Sequence, residues 1–575
     1  MLNQSTSPTN SNQKESVIVL KTKEIVEKAQ SVMSLEEYAQ HQKIIERLER
    51  AKQIRNAPYK YYDGMNFEQS YITNEDLKNT YLTPKLNTTE VRVNTGTSEK
   101  KLDAIKNELL TMNLVHEVRA FDQEDLEIQE LGEDMADIVT RTNQIEKDDD
   151  LWEETIDELL SQPIVYVRET FNTTTLRNKQ TTISMAKKEL VSALKVFPAS
   201  WTIPAYLWDT QPYVITYDRI NYEQAEAILN SKYPNFKFVR PNVKQRDEYL
   251  GGAYSYQFGE LQDGEVEIIT YESLPDNEYQ IYANGVPLLP PNSPLPYEYP
   301  HYSIRAYTVK SMSRNFLAGR PFTAMAKTMQ AVANETIRLL IRKFQQALEP
   351  PMATPKGKIY AKGIWDPGSI VQGLRKSDFE KLIDHNGVTD GEFSMYKLIE
   401  QKTEEFIGTP NIAQGMQGSR EMSATEVLTV QKQFIKQLGY TVAALMRMKR
   451  DLTELRIYNI MENYLDPVKR KFDPLTKEVK DIYRSFTLEN SSFSDNRKGR
   501  KVIKFADRSL TVPEQESLKE FEDEQSSIGK PIRIKFFNLS VLKSLPIFWY
   551  VNVSMQDKEG TALDKVIFQD QLTQA

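Results

Sequence analysis

The chain has no cysteine, only 4 histidines and no long apolar run, and each shortage removes a class of chemistry or location. Without cysteine there can be no disulfide framework, thiol nucleophile or thiolate metal site, which fits assembly in a reducing cytoplasm. His41, His116, His301 and His385 are scattered, and none belongs to an HExxH or comparable metal-ligand spacing. No apolar run approaches the roughly 18–20 residues that span a bilayer, so no membrane contact is expected. The opening MLNQSTSPTNSNQKES has neither a basic nor an apolar region of the kind that directs secretion, and residues 1–33 are expected to form a disordered tail. No Walker A sequence is present, Gly251-Gly252 does not extend to GxGxxG, and no GxSxG elbow occurs. Asp134 and Asp137 read as solvated helix-face acids in a chain with 81 Asp and Glu. No catalytic residue, metal site or cofactor is therefore expected.

What is present is length and order. With 575 residues the chain exceeds the roughly 100–200 typical of one domain, so several packed layers are expected. Ser34 and Glu37 make a capping-box pattern ahead of a charged helix to about Asn56, and Pro58 and Gly64 then mark an aromatic-rich connection. Helices are expected in TSEKKLDAIKNELLTMN and in DLEIQELGEDMADIVTRTNQIEKDDDLWEETIDELL, with Asp148 to Asp150 a solvated helix start. From about 163 short alternating strands follow, among them IVYVRETF, WTIPAYLW, YVITYD, EVEIITYE and EYQIYANGVPLL, so this region reads as α+β. The proline-dense stretch 287–300 reads as a rigid extended crossing.

Pro321 precedes a long helix that Pro350 and Pro351 stop. One face carries Met325, Met329, Val332, Ile337, Leu340, Ile341, Phe344 and Leu348, and the other Lys327, Gln330, Asn334, Arg338, Arg342 and Gln345. GEFSMYKLIEQKTEEFI forms a second helix, and GTPNIAQGMQGSREM after it is too glycine-rich to be helical throughout. Ser423-Ala-Thr-Glu426 caps the longest helix, to about Leu465, with the stripe Val427, Val430, Phe434, Leu438, Val442, Leu445, Met448, Leu452 and Leu455 and a bend expected at Gly439. Strand-like RKVIKFAD, PIRIKFFN and FWYVNVSMQ and the acidic helix EQESLKEFEDEQ follow. The final GTALDKVIFQDQLTQA reads as a helix cut short, so the natural chain is expected to continue past Ala575.

From about Phe316 to Leu465 this order resembles the portal proteins of tailed double-stranded DNA bacteriophages, specifically the podophage type. The match is carried by NFLAGRPF, by a long helix with Gln330 and Asn334, and by PPMATPKG. It continues through a small β-containing insert, EEFIGTPNIAQGMQGSREMSATEV and DLTELRIYNIMENYL. RNAPYKYYDG at Arg55 to Gly64 is similar to the tyrosine-rich opening of many such chains. The resemblance implies a wing over 34–322, stem helices at 323–349 and 393–407, a clip at 350–392 and a tunnel loop at 408–422. It further implies a long wing helix at 423–465 and a crown or C-terminal extension at 466–575.

It also implies a non-enzymatic subunit of a homo-oligomeric ring, expected as a dodecamer, at one capsid vertex of a virion assembled in the host cytoplasm. Double-stranded DNA would pass axially, past Ile412, Gln414, Met416, Gln417 and Arg420 of the loop and Arg338 and Arg342 of the stem. Terminase would dock at Lys356, Lys358, Lys362 and Arg375, tail and adaptor proteins would follow, and the major capsid protein and scaffold would meet the wing. The net charge of −8 argues against a broad basic face that grips nucleic acid, and a wall past which DNA slides should not hold it by phosphate pairing. Two other readings remain open on the sequence: another virion structural protein, such as a tail collar or capsid component, and a metal-dependent nucleic-acid enzyme.

Overall fold

The computed structural model describes residues 35–78, 96–120, 126–175, 182–221, 265–283, 286–348, 352–353, 380–381, 390–407, 438–463, 469–472, 479–482, 485–492, 498–506, 512–529, 531–538 and 549–556. Among them the N-terminal elements are α1 (Leu35–Asp63), α2 (Phe67–Lys78), α3 (Thr97–Thr111), β1 (Asn113–Ala120), α4 (Leu126–Glu146) and α5 (Asp148–Ser161). Strands β2 (Val165–Thr175), β3 (Thr182–Val191), β4 (Val196–Pro198), β5 (Val214–Asn221), β6 (Glu265–Ser273), β7 (Glu278–Ala283), β8 (Val286–Pro287) and β9 (Ile304–Tyr307) follow. Then come α6 (Phe322–Leu348), β10 (Met352–Ala353), β11 (Glu380–Lys381), α7 (Asp390–Ile407) and α8 (Gly439–Asn463). The remainder is β12 (Lys469–Phe472), β13 (Val479–Ile482), β14 (Ser485–Ser492), β15 (Lys498–Ala506), α9 (Val512–Ser527), β16 (Ile532–Asn538) and β17 (Trp549–Gln556). The fold is α+β, as expected.

Strand order is β4-β5-β6-β7-β8 in an antiparallel five-stranded sheet and β3-β2-β9 in an antiparallel three-stranded one. In β14-β15-β16 the last pair is parallel. β1 pairs antiparallel with β17, from Asn113↔Gln556 to Ala120↔Trp549, so the C-terminal part of the chain packs into the N-terminal part. The largest core cluster draws on α3, α4, α5, α8, β1, β2 and β17, with Ile105, Met135, Ile156, Val165, Met448, Leu452 and Val551 all buried. A second gathers Phe67, Trp201, Trp208, Phe316 and Leu317, and a third seats Ile44 and Leu48 of α1 on Ile215, Tyr271 and Tyr282 of the five-stranded sheet. At about 1.5–3 kcal/mol for each fully buried large apolar side chain, these clusters hold the body together.

Several local expectations change. The connection expected after Asn56 is helical: α1 continues through Pro58 to Asp63, Gly64 at φ 76 ends it, and α2 follows from Phe67. A proline removes only one backbone donor, and glycine enters the left-handed region without a Cβ penalty. WTIPAYLW is not a strand but a bend and a short 3-10 turn at Ala205–Thr210, because Trp201 and Trp208 both point inward. Asp148 is not solvated, since it pairs with Lys188. Residues 288–300 form no regular strand, but the extended crossing expected there is broken by bends and by a turn at Pro291-Asn292, with Asn292 at φ 54. In NFLAGRPF the backbone at Gly319 leaves no room for a side chain, as a Cβ there would lie 2.8 Å from the Lys310 carbonyl oxygen.

Candidate functional site

Helix α6 has neither glycine nor proline within it, and Pro321 immediately precedes its first residue. Its first turns are seated in the body, with Phe322, Thr323, Ala326, Gln330 and Ala333 buried. Thr323 Oγ1 donates to the Ser161 carbonyl at 2.5 Å and anchors the start. From Asn334 to Gln345 no residue of the helix is buried. Along this length α6 has α7 as a neighbour, and beyond its end β10 and β11 pair antiparallel, Met352↔Lys381 and Ala353↔Glu380. The result is a helix, a short ribbon and a second helix, the first helix rooted in the core at its N-terminal end.

This pair leaves large apolar side chains in solvent: Val332, Leu339 and Phe344 on α6, and Met395 and Leu398 on α7. Phe344, at 54% exposed, and Met395, at 58%, are far from what a core residue shows. Val332 and Phe344 belong to the stripe read in the sequence and Leu339 does not, and the described residues leave all three open.

Gln330, placed by the sequence on the wet face, is buried. Its Oε1 accepts from the Ser98 backbone N–H at 2.9 Å and from Ser98 Oγ at 3.0 Å, and its Nε2 donates to Asn334 Oδ1 at 3.0 Å. Ser98 lies in the first turn of α3, where backbone N–H groups have no partner within the helix, and Gly96 offers no side-chain cap. Gln330 supplies that cap from another helix and fixes α6 to α3 at the level where α6 leaves the body.

Beneath α8 lies a buried ionic cluster. Arg456 Nε stands 2.5 Å from Glu169 Oε1, with both side chains fully buried, and Arg456 Nη1 donates to Asn143 Oδ1 at 3.1 Å. Asn459 Nδ2 donates to Glu169 Oε1 and to the Thr170 carbonyl, both at 3.1 Å. Lys188 Nζ meets Asp148 Oδ2 at 2.7 Å, and that oxygen is 3.6 Å from Arg456 Nη2. Burial, reinforced by the Arg456 cation, pulls the Lys188 ammonium below its ordinary range despite Asp148 and Glu169. A cavity of about 80 Å³ borders the cluster, lined by Asp148, Trp152, Thr155, Lys188, Lys449 and Thr453 among others.

Of the residues singled out in the sequence, Arg338 is half-buried and pairs with Glu335 at 2.5 Å, and Arg342 is exposed on the same helix. Lys356, Lys358, Lys362 and Arg375, and the loop residues Ile412, Gln414, Met416, Gln417 and Arg420, lie outside the described residues. So do 1–33, most of 350–392, all of 408–422 and residues 423–437, where the long helix was expected to start; α8 begins at Gly439, and the bend expected there involves residues outside the described part. The ionic cluster was missed. Its signal was Arg456 and Asn459 interrupting the apolar side of α8, four and seven positions after Leu452. Among the described residues no group of three or more His, Asp or Glu could hold a metal ion, and no helix is long and apolar enough to cross a membrane. No protein-family model and no curated protein matches the chain.

Proposed function

We propose that this chain is the portal subunit of a tailed double-stranded DNA bacteriophage, a non-enzymatic building block of the ring through which the genome enters and leaves the capsid. The observation that carries this reading is the pair α6 and α7. A helix rooted in the core by Gln330 and Thr323 runs out with a second helix and a small ribbon, and both helices present Leu339, Phe344, Met395 and Leu398 to water. Large apolar side chains that the described residues leave open suit closed cyclic assembly, because each copy can cover the next in the same way. In this reading α6 and α7 are the stem, 350–392 is the clip that docks terminase through Lys356, Lys358, Lys362 and Arg375, and 408–422 is the tunnel loop. The ring, expected to have twelve copies, passes duplex DNA along Arg338, Arg342 and the loop. It meets capsid and scaffold at the body, and tail or adaptor proteins after packaging.

Sedimentation of the purified chain at micromolar concentration and physiological salt tests the reading. A discrete species of about a dozen copies is expected, and a persistent monomer both alone and with scaffold protein contradicts it.

A further inference from the structure

We propose that His301 is a proton-dependent latch that fastens the strap 288–303 to helix α8. The strap crosses from the five-stranded sheet to α8 and is tied at both sides. On the sheet side Tyr297 Oη donates to Glu272 Oε2 at 3.0 Å and Ser303 Oγ to Glu272 Oε1 at 2.8 Å. On the α8 side the Glu298 backbone N–H donates to Glu462 Oε1 at 2.9 Å. Tyr299 stacks on Tyr458 at 6.0 Å between centroids and on Tyr297 at 4.2 Å.

His301 sits between two carboxylates from different elements. Its Nδ1 is 2.9 Å from Asp209 Oδ2, on the 3-10 turn, and its Nε2 is 3.7 Å from Glu454 Oε1, on α8. The other groups around it are Arg305 of β9, whose Nη1 pairs with the same Asp209 oxygen at 2.7 Å, and Tyr458 of α8, whose ring centroid lies 5.9 Å from the imidazole. Asp451, also on α8, acts on Arg305 at the next remove.

An imidazolium has two N–H donors and can satisfy both carboxylates; a neutral imidazole has one. The Nδ1 contact to Asp209 at 2.9 Å is within hydrogen-bond reach and the Nε2 contact to Glu454 at 3.7 Å is not, so a neutral His301 keeps its proton on Nδ1 and turns a lone pair toward Glu454. Loss of one proton thus converts an attraction to α8 into a repulsion while the link to Asp209 stays. Burial disfavours the charged ring, but the hydrogen bond to Asp209 and the Glu454 carboxylate at 3.7 Å outweigh it and hold the His301 pKa above its ordinary value. The latch is accordingly closed below its folded pKa, which lies above the ordinary value of 6.5, and opens as pH rises through it.

The test uses the full chain between pH 6 and pH 9, following the near-ultraviolet circular dichroism of the tyrosine stack together with hydrogen exchange of residues 297–303, corrected for intrinsic rate. Wild type is expected to lose stack ellipticity and protection in one step. Glu454→Gln should stay docked throughout, because its amide can donate to the neutral Nε2, and His301→Gln should show no step. No step in wild type, or an unchanged step in Glu454→Gln, overturns the proposal. Glu454→Gln decides the matter even if His301→Gln fails to fold.

Discussion

Arg456 and Glu169 form the most consequential pair of single residues in the body. Because both are fully buried, removing one partner leaves a charge in a medium that cannot solvate it, so Glu169→Gln should cost about 3–5 kcal/mol in urea unfolding. An effect below about 1 kcal/mol would mean that water reaches the cluster. The histidines set opposing pH dependences. His41 and His116 are lowered to about 4, both chiefly by burial and His116 also by Lys449. Their stabilisation is present above the ordinary value of 6.5 and is lost as pH falls toward 4. His301 is raised, so its contribution is complete below 6.5 and is lost as pH rises through its folded value. The stability difference between wild type and His301→Gln should therefore shrink with rising pH. A constant difference from pH 6 to pH 9 would remove the ionic role.

Helix α6 joins a buried root to an open arm, and the two parts should respond differently to substitution. Gln330→Ala strands a buried Ser98 N–H and hydroxyl and should cost about 1–3 kcal/mol, whereas Gln330→Glu should cost less because the acceptor oxygen remains. Phe344→Asp with Leu398→Asp changes exposed positions and should leave protomer stability within about 0.5 kcal/mol while abolishing assembly. Unchanged assembly in that double variant, read by sedimentation, would move the subunit contact elsewhere. The stripe of α8 was legible in the sequence because Leu438, Val442, Leu445, Met448, Leu452 and Leu455 are all covered by this chain. On α6 the same periodicity did not say which residues this chain covers, and burial of Gln330 depends on a distant backbone N–H at Ser98. β3 escaped notice because Lys187, Lys188 and Glu189 break the alternation that marks a strand, and Lys188 turns inward only because Asp148 waits there.

Across the whole molecule the α+β class followed from local pattern, but the closure of the chain on itself did not. The β1–β17 ladder joins residues near 115 and 553, and nothing local at either strand names the other. Lys501 and Lys535 both reach Asp134 on α4 and rivet the β14-β15-β16 sheet to the body, so Asp134, expected to be solvated, is a buried anchor, while Asp137 pairs with Lys501 and stays 43% exposed. Among the described residues α6 and α7 form a conspicuous arm, and the portal reading depends on what that arm meets. Cryo-electron microscopy of the purified assembly decides this. The account predicts a closed ring of identical copies with an axial hole, residues 334–348 and 390–407 of each copy surrounding that hole. Particles without a hole, or a ring with those helices on its outer rim, would contradict it.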